Sequence, residues 1–279
     1  MFLQDYWIRS RSFVLLAPEN EGIGGFSDNS RVSKRLHSQL LGELQRLRGR
    51  VYLTDGAVSA EDLDPGGRHV QAPDARSWHL VMFGTLGLVT GCVRFRRHSA
   101  PLSWSQLTLR HAAIARSEEW GFRFRTSVDA ELDAARRAGF AYVEVGGWAL
   151  AKEIRFTTMA LKTVLAIYAW SELLGGALGI TTATHRNGSA SILRRLGGRP
   201  LSSSDGAELP PYYDDRYRCQ MEVLRFDSRR PNPRFRGMLN EVRDLIRTVP
   251  VIYAGNGCEN RNTANLPESF GLVESEVAC

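Results

Sequence analysis

Cysteine is scarce in this 279-residue chain: there are four, at Cys92, Cys219, Cys258 and Cys279, far apart and never in a Cys-x-x-Cys spacing. That scarcity excludes a disulfide framework and a structural zinc site, so no metal and a reducing, cytoplasmic setting are expected. Long apolar runs are missing as well. The longest, Met159 to Leu174, is interrupted by Lys162, Thr163, Ser171 and Glu172, which makes it a core helix rather than a transmembrane segment. Near the N-terminus, FVLLA is too short for the core of a signal peptide and has charges on one side only. Lysine, too, is rare, and nearly all of the 36 basic residues are arginine, for a net charge of +6. They gather at 31–50, 94–98 and 225–237. Such patches attract nucleic acid, anionic lipid or an acidic protein, or form an ordinary solvated surface. No helix-turn-helix, zinc-finger or aromatic RNA-binding signature accompanies them, so nucleic acid is not an expected partner, while peripheral contact with a membrane stays open.

With 43% hydrophobic and 24% charged residues, the composition is that of a globular protein. Residues 1–33 show no sustained periodicity and read as an N-terminal arm. Leu36, Leu40, Leu41, Leu44 and Leu47 fall at helical spacing, with a short strand RVYL expected next. WHLVMFGTLGLVTGCVRFRR reads as a hairpin turning at Gly84 to Gly87. Amphipathic segments at about 104–118 and 128–138 follow, the second stopping at Gly139. Then come a strand at 140–150, a helix at about 156–174, the strand GALGITTATH, a short helix SASILRRLG, the strand YRCQMEVLRF and a helix at 234–247. The order predicts one mixed α/β domain around a single sheet. Residues 229–253 read as a helical extension and the polar 254–279 as a disordered tail.

The strand YVEVGGWAL, residues 142–150, is unusual because it carries an acidic Glu144 and the adjacent Gly146 and Gly147 where side chains should pack. Two glycines permit a bulge and close approach by another backbone. Glu144 either faces a reacting group or pairs with a nearby arginine.

The strand YVEVGGWAL, the helix after it, the strand GITTATH and the segment RNGSASILRRLGGRPL together resemble the GNAT acyltransferase superfamily, over about 140–201. Upstream, LRGRVY, with Arg48 four residues before Tyr52, and TGCVRF, ending at Arg94, are similar to motifs of two branches, the long-chain N-acyl amino acid synthases and the acyl-homoserine-lactone synthases. Glu144 matches the Glu of their Glu-x-x-Arg strand, but Gly147 stands where the Arg would be, and the stretch from Arg94 to Glu144 is long for a lactone synthase. Both departures favour the N-acyl amino acid branch, or a further relative of the two, over a lactone synthase.

The resemblance implies a mostly antiparallel central sheet flanked by helices, over residues 34–228, with a strand splayed from its neighbour to admit an acyl thioester. Gly146, Gly147, Trp148, Ala149 and Leu150 would cradle that thioester, with a bulge amide as oxyanion donor. Glu144 would take the proton of the attacking amine, its pKa raised by burial. Arg48, Tyr52 and Arg94 would hold the acceptor's carboxylate, or else pair with Asp62 or Asp64 in the turn-rich loop. Coenzyme A users of the superfamily carry a glycine-rich phosphate loop before the helix; here AKEIRFTTMAL has no glycine. Lys152, Arg155, Thr157 and Thr158 would serve one phosphate, which favours the phosphopantetheine of an acidic acyl carrier protein over coenzyme A as donor, with no tightly bound cofactor. Asn187, after His185, would contact the donor arm. Leu193 and Arg194 occupy positions where relatives carry an acid tyrosine, and Tyr212 or Tyr213 could replace it or merely edge a loop. Leu161, Leu165, Tyr168 and Trp170 would line a fatty acyl tunnel or simply form core, and Cys92 reads as a packed thiol. The implied activity is N-acyl transfer to an amino acid or similar amine; lactone synthesis and acyl binding without catalysis are the alternatives.

Overall fold

The computed structural model describes residues 12–23, 29–98, 101–203 and 205–255. Its ten strands are β1 (Phe13–Leu16), β2 (Ser30–Val32), β3 (Trp78–Phe83), β4 (Val89–His98), β5 (Ala141–Leu150), β6 (Ala177–Thr184), β7 (Arg199–Pro200), β8 (Tyr212–Asp214), β9 (Cys219–Asp227) and β10 (Val251–Tyr253). They form one sheet in the order β2-β10-β1-β3-β4-β5-β6-β9-β7, with β8 on β9. The pairs β1–β10, β10–β2 and β5–β6 are parallel and the rest antiparallel. The mixed, mostly antiparallel α/β architecture expected from the sequence is therefore present.

Among the described residues five α-helices cover the sheet: α1 (Lys34–Thr54), α2 (Gly121–Arg137), α3 (Thr158–Leu173), α4 (Ser189–Leu196) and α5 (Arg236–Thr248). One face packs on α3 and α5, in a core with Trp78, Leu80, Val93, Phe95, Leu165, Trp170, Val242 and Ile246. The other packs on α1 through Leu36, Leu40, Leu44, Leu47 and Val51, and on α2 through Phe124 and Val128. Burying each such leucine contributes about 1.5–3 kcal/mol.

Several elements depart from the sequence reading. RVYL is the last part of α1, not a strand, because Leu44, Leu47 and Val51 keep the helical stripe unbroken. Phe13 to Leu16, assigned to an arm, is a buried strand paired with both β3 and β10. Residues 229–253 are not an appendage, since β10 completes the sheet between β1 and β2. Residues 1–11 and 24–28 of the expected arm and 256–279 of the expected tail lie outside the described residues. The segment 104–118 is not helical but forms three 3-10 turns, Trp104–Gln106, Thr108–His111 and Ala113–Arg116. One cause is visible: the Leu109 amide donates to Glu144 at 2.8 Å, so it is unavailable to an α-helical ladder.

Candidate active site

The central feature is a discontinuity in β5. On β4, Cys92 pairs with Ala149 and Arg94 with Gly146, so two steps on one strand oppose three on the other. The extra residue is a bulge at Gly147 and Trp148. Gly147 has φ of +62°, which an L side chain rarely adopts. A Cβ there would also lie 3.0 Å from Arg48 Nη1 and 3.3 Å from Arg94 Cβ, and one at Gly146 would lie 3.2 Å from Arg94 Nη2. On this face the bare positions make room for two arginines of the protein itself.

On its other side, β5 pairs with β6 only from Ala141↔Ala177 to Glu144↔Ile180, whereas β6 follows β9 as far as Thr184↔Met221. Residues 145–150 therefore have no ladder partner on β6, and the two strands splay apart from Glu144 onward. The indole nitrogen of Trp148, a residue of this unpaired stretch of β5, is buried and has no hydrogen-bond partner. A buried donor left unpaired costs about 1–3 kcal/mol.

Glu144 marks the apex of the gap and is buried. Its Oε1 accepts from the Leu109 amide at 2.8 Å, and its Oε2 lies 2.8 Å from His98 Nε2 and 3.4 Å from Arg96 Nη1. Arg96 also donates to Thr108 Oγ1 at 2.8 Å, clamping the same turn. Burial alone would push the Glu144 pKa up. The His98 hydrogen bond, the amides of Thr108 and Leu109, and the His98 charge outweigh it and hold the carboxyl below the ordinary glutamate value. This corrects the expectation of a raised pKa: burial came with donors, and one of the partners is an arginine, Arg96, in the second role considered for this residue.

Arg48 and Arg94 converge on Asp74, not on Asp62 or Asp64. Arg48 is fully buried, its Nη1 donating to Asp74 Oδ1 at 2.9 Å and its Nη2 to Asp74 Oδ2 and to the His69 carbonyl at 2.7 Å. Arg94 donates to Asp74 Oδ1 at 3.0 Å and Gln71 Oε1 at 2.7 Å. Gln45 adds a third donor to Asp74 at 3.0 Å. Although burial acts the other way, these contacts hold the Asp74 carboxyl well below the usual range. Asp62 instead accepts from Ser59, and Asp64 from Arg68. The loop is seated tightly, since a Cβ on Gly49 would meet the Gly67 carbonyl at 2.3 Å. Tyr52 reaches the gap itself, with its hydroxyl 3.3 Å from the Trp148 carbonyl.

At the other end of β5, Ala149 and Leu150 are core residues. Arg155 donates to the Leu150 carbonyl at 3.0 Å and forms a two-pronged pair with Asp55 at 2.9 and 3.0 Å, so its guanidinium is already engaged. Thr157 caps α3, accepting from the Met159 amide at 3.2 Å, and Thr158 is exposed at its first turn. Asn187 is exposed before α4. Arg194 pairs with buried Glu222, which also lies 3.8 Å from His185. Tyr212 is half-buried with an unpaired hydroxyl, and Tyr213 is exposed. Leu165, Tyr168 and Trp170 are core, Leu161 packs at its edge, and a cavity of only about 10 Å³ lies beside Trp170. Cys92 is buried and its thiol is pushed up to about 11, as suits a packed residue.

The structure thus brings Glu144, Gly146, Gly147, Trp148, Arg48, Tyr52 and Arg94 together, and leaves Thr158 and Asn187 exposed at the ends of helices. Asp74, Arg96 and His98 were missed. Arg94, Arg96 and His98 alternate along β4 and so share a face with the carboxylate of β5, a signal hidden within RFRRH, which read only as a basic patch.

No protein-family model matches this chain, and no curated protein sequence matches it. Solved structures do. A CoA-dependent acyl-homoserine lactone synthase, BjaI, with SAM and isopentyl-CoA, aligns over 86% of this chain and 92% of its own, at 16% identity and a TM-score of 0.52. The same synthase with MTA gives the same values. FeeM, an N-acyl amino acid synthase from uncultured soil microbes, aligns over 70% of this chain and 86% of its own at 12% identity and a TM-score of 0.42. At such identities the likeness is one of fold: the chain has a GNAT-type acyltransferase fold.

Proposed function

We propose that this chain is an N-acyltransferase, moving an acyl group from a thioester to the amine of an amino acid or similar small molecule. The observation that carries the reading is the splay of β5 from β6 at a bulge, with unpaired strand edge and, on that stretch, the orphaned N–H of Trp148. An acyl thioester's arm would lie along β5 as an added strand, and its carbonyl would meet a bulge amide as negative charge develops on oxygen. Glu144, kept ionised by its donors, would accept a proton from the acceptor's ammonium through a water, with His98 2.8 Å away; the freed amine would attack the thioester carbonyl, and collapse of the intermediate would form the amide and release the donor arm as its thiolate. Tyr52, at the Trp148 carbonyl, would border the acceptor, while Arg48 and Arg94 shape the wall through Asp74 rather than reaching out.

For the donor, the engagement of Arg155 by Asp55 and of the Thr157 hydroxyl by the cap of α3 leaves Lys152, Thr158 and the first turn of α3 for phosphate. That modest provision supports a carrier-protein phosphopantetheine, docked on the basic surface in the cytoplasm, over the several phosphates of coenzyme A. A long fatty chain would have to open the core at Trp170, where little space exists now.

The test is mass spectrometry of lipid extracts from bacteria expressing the chain or its Glu144→Gln variant. Acylated amines made only by the wild type support the reaction and the carboxylate's role, and name acceptor and chain. Equal product from both would remove Glu144 from the chemistry. No product from soluble wild type would leave a binding protein with this fold.

A further inference from the structure

Two cavities on β3 and β4 share the ring of Trp78 in their walls. The inner is the dry space of about 10 Å³ bounded by Leu15, Leu80, Val93, Phe95 and Trp170, among others. The outer is a surface cleft of about 250 Å³ lined by Pro18, Asn20, Glu21, Ala75, Arg76 and Arg97. Trp78 lines both. Along β4, Val93, Phe95 and Arg97 alternate onto the same face, so two apolar side chains of the inner cavity are followed by a guanidinium in the outer cleft.

We infer that this end of the sheet binds a carboxylate-headed acyl chain, with the head on Arg76 and Arg97 and the tail directed past Trp78 toward the inner cavity. Among the described residues neither Arg76 nor Arg97 forms an ion pair, and the cleft they share holds a single carboxylate, Glu21, so its two cations outnumber its anion. Guanidinium groups match a carboxylate with paired donors. Glu21 in the same cleft disfavours a doubly charged phosphate, and Asn20 offers a polar contact to an amide near the head. The inner cavity has room for no more than about one water, so a tail enters only as the Trp78 ring shifts from its packing on Trp170, at a centroid distance of 4.7 Å. Two sources supply such a ligand: a free fatty acid, or an N-acyl amino acid, which would be this protein's own product. The second source rests on the acyltransferase reading; the site does not.

The experiment is calorimetric titration of the full chain with dodecanoate and with N-dodecanoylglycine, beside acetate and dodecanol as head and tail alone. The expected result is saturable binding of at least one carboxylate-headed chain and no binding of acetate. Dodecanol should bind at least tenfold more weakly. The exposed double variant Arg76→Gln/Arg97→Gln should lose about tenfold or more in affinity, the scale of a charged hydrogen bond. Tighter binding of N-dodecanoylglycine identifies a product site, and tighter binding of dodecanoate a fatty-acid site. Equal affinity in the double variant, equal affinity for dodecanol, or no binding at all overturns the inference. The titration reads binding alone, so its result is independent of whether cell extracts contain acylated amines.

Discussion

Asp74 is the counter-ion of Arg48, and both are sealed from solvent: the side chains are 0% and 3% exposed, and the two groups meet in a two-pronged pair. Arg94 closes on the same carboxylate from β4. A chain of contacts thus runs from α1 through the 59–77 loop to the strand behind the bulge, and it fixes the wall against which Gly146 and Gly147 lie.

Removing Asp74 should therefore be far more damaging than removing a surface acid. Asp74→Asn leaves two buried guanidinium groups without a charge partner, and the expected loss is about 3 to 5 kcal/mol. Urea unfolding followed by circular dichroism measures it. A change below 1 kcal/mol would mean that Gln45, Gln71 and water suffice for the arginines.

Gly147→Ala tests the bulge. The left-handed backbone and the 3.0 Å approach of Arg48 both oppose a Cβ, so a loss of about 1 to 3 kcal/mol is expected, with a lower Tm. Gly175→Ala supplies the comparison: its φ is +85° but nothing lies within 4 Å of a Cβ there. If both variants lose the same amount, backbone strain alone accounts for the effect and the arginine contact contributes nothing.

Much of this was legible beforehand, for identifiable reasons. The stripe of Leu36, Leu40, Leu44 and Leu47 announced α1, and the pair of glycines after Glu144 announced the bulge, because each signal is local. β1 and β10 were missed because a strand of three or four residues carries no periodicity; they exist by pairing with each other across more than two hundred residues. The site divided along the same line. Glu144, Arg48, Tyr52 and Arg94 sit in recognisable motifs, whereas Asp74 and His98 matter only through what folding brings to them: nothing in APDARS foretells the partners of Asp74, and the alternation in RFRRH gives His98 a face but not the strand that lies against it.

The Glu144 carboxylate also does a mechanical job that is separable from chemistry. By accepting the Leu109 amide it ties residues 101–116 to β5. Glu144→Ala should free this segment, and trypsin should cut faster after Arg110 and Arg116. Glu144→Gln keeps an acceptor oxygen and should leave the cutting rate near that of the wild type. Cleavage followed by mass spectrometry decides: equal rates in the two variants would show that Arg96 and the packing of Leu107 and Ile114 hold the segment without the carboxylate.

Two buried histidines should make stability fall on mild acidification. Burial lowers His79 to about 3 and, with Arg48 and Arg216 nearby, His69 to about 4. In the unfolded chain each titrates near 6.5. Between those values the unfolded state binds the extra protons, so stability is complete above about pH 6.5 and declines as pH drops toward 4. Asp74 adds its own loss only lower, below the ordinary aspartate value of about 3.9, because its folded carboxyl is held down by Arg48 and Arg94. The expected signature is a Tm that descends between pH 6.5 and 4.5, before any carboxylate of the Asp74 cluster protonates. His79→Gln should flatten that descent, whatever it does to Tm at pH 7, since the slope counts protons and not contacts. An unchanged slope in His79→Gln would place the proton uptake elsewhere, and burial would then not be what keeps His79 neutral in the fold.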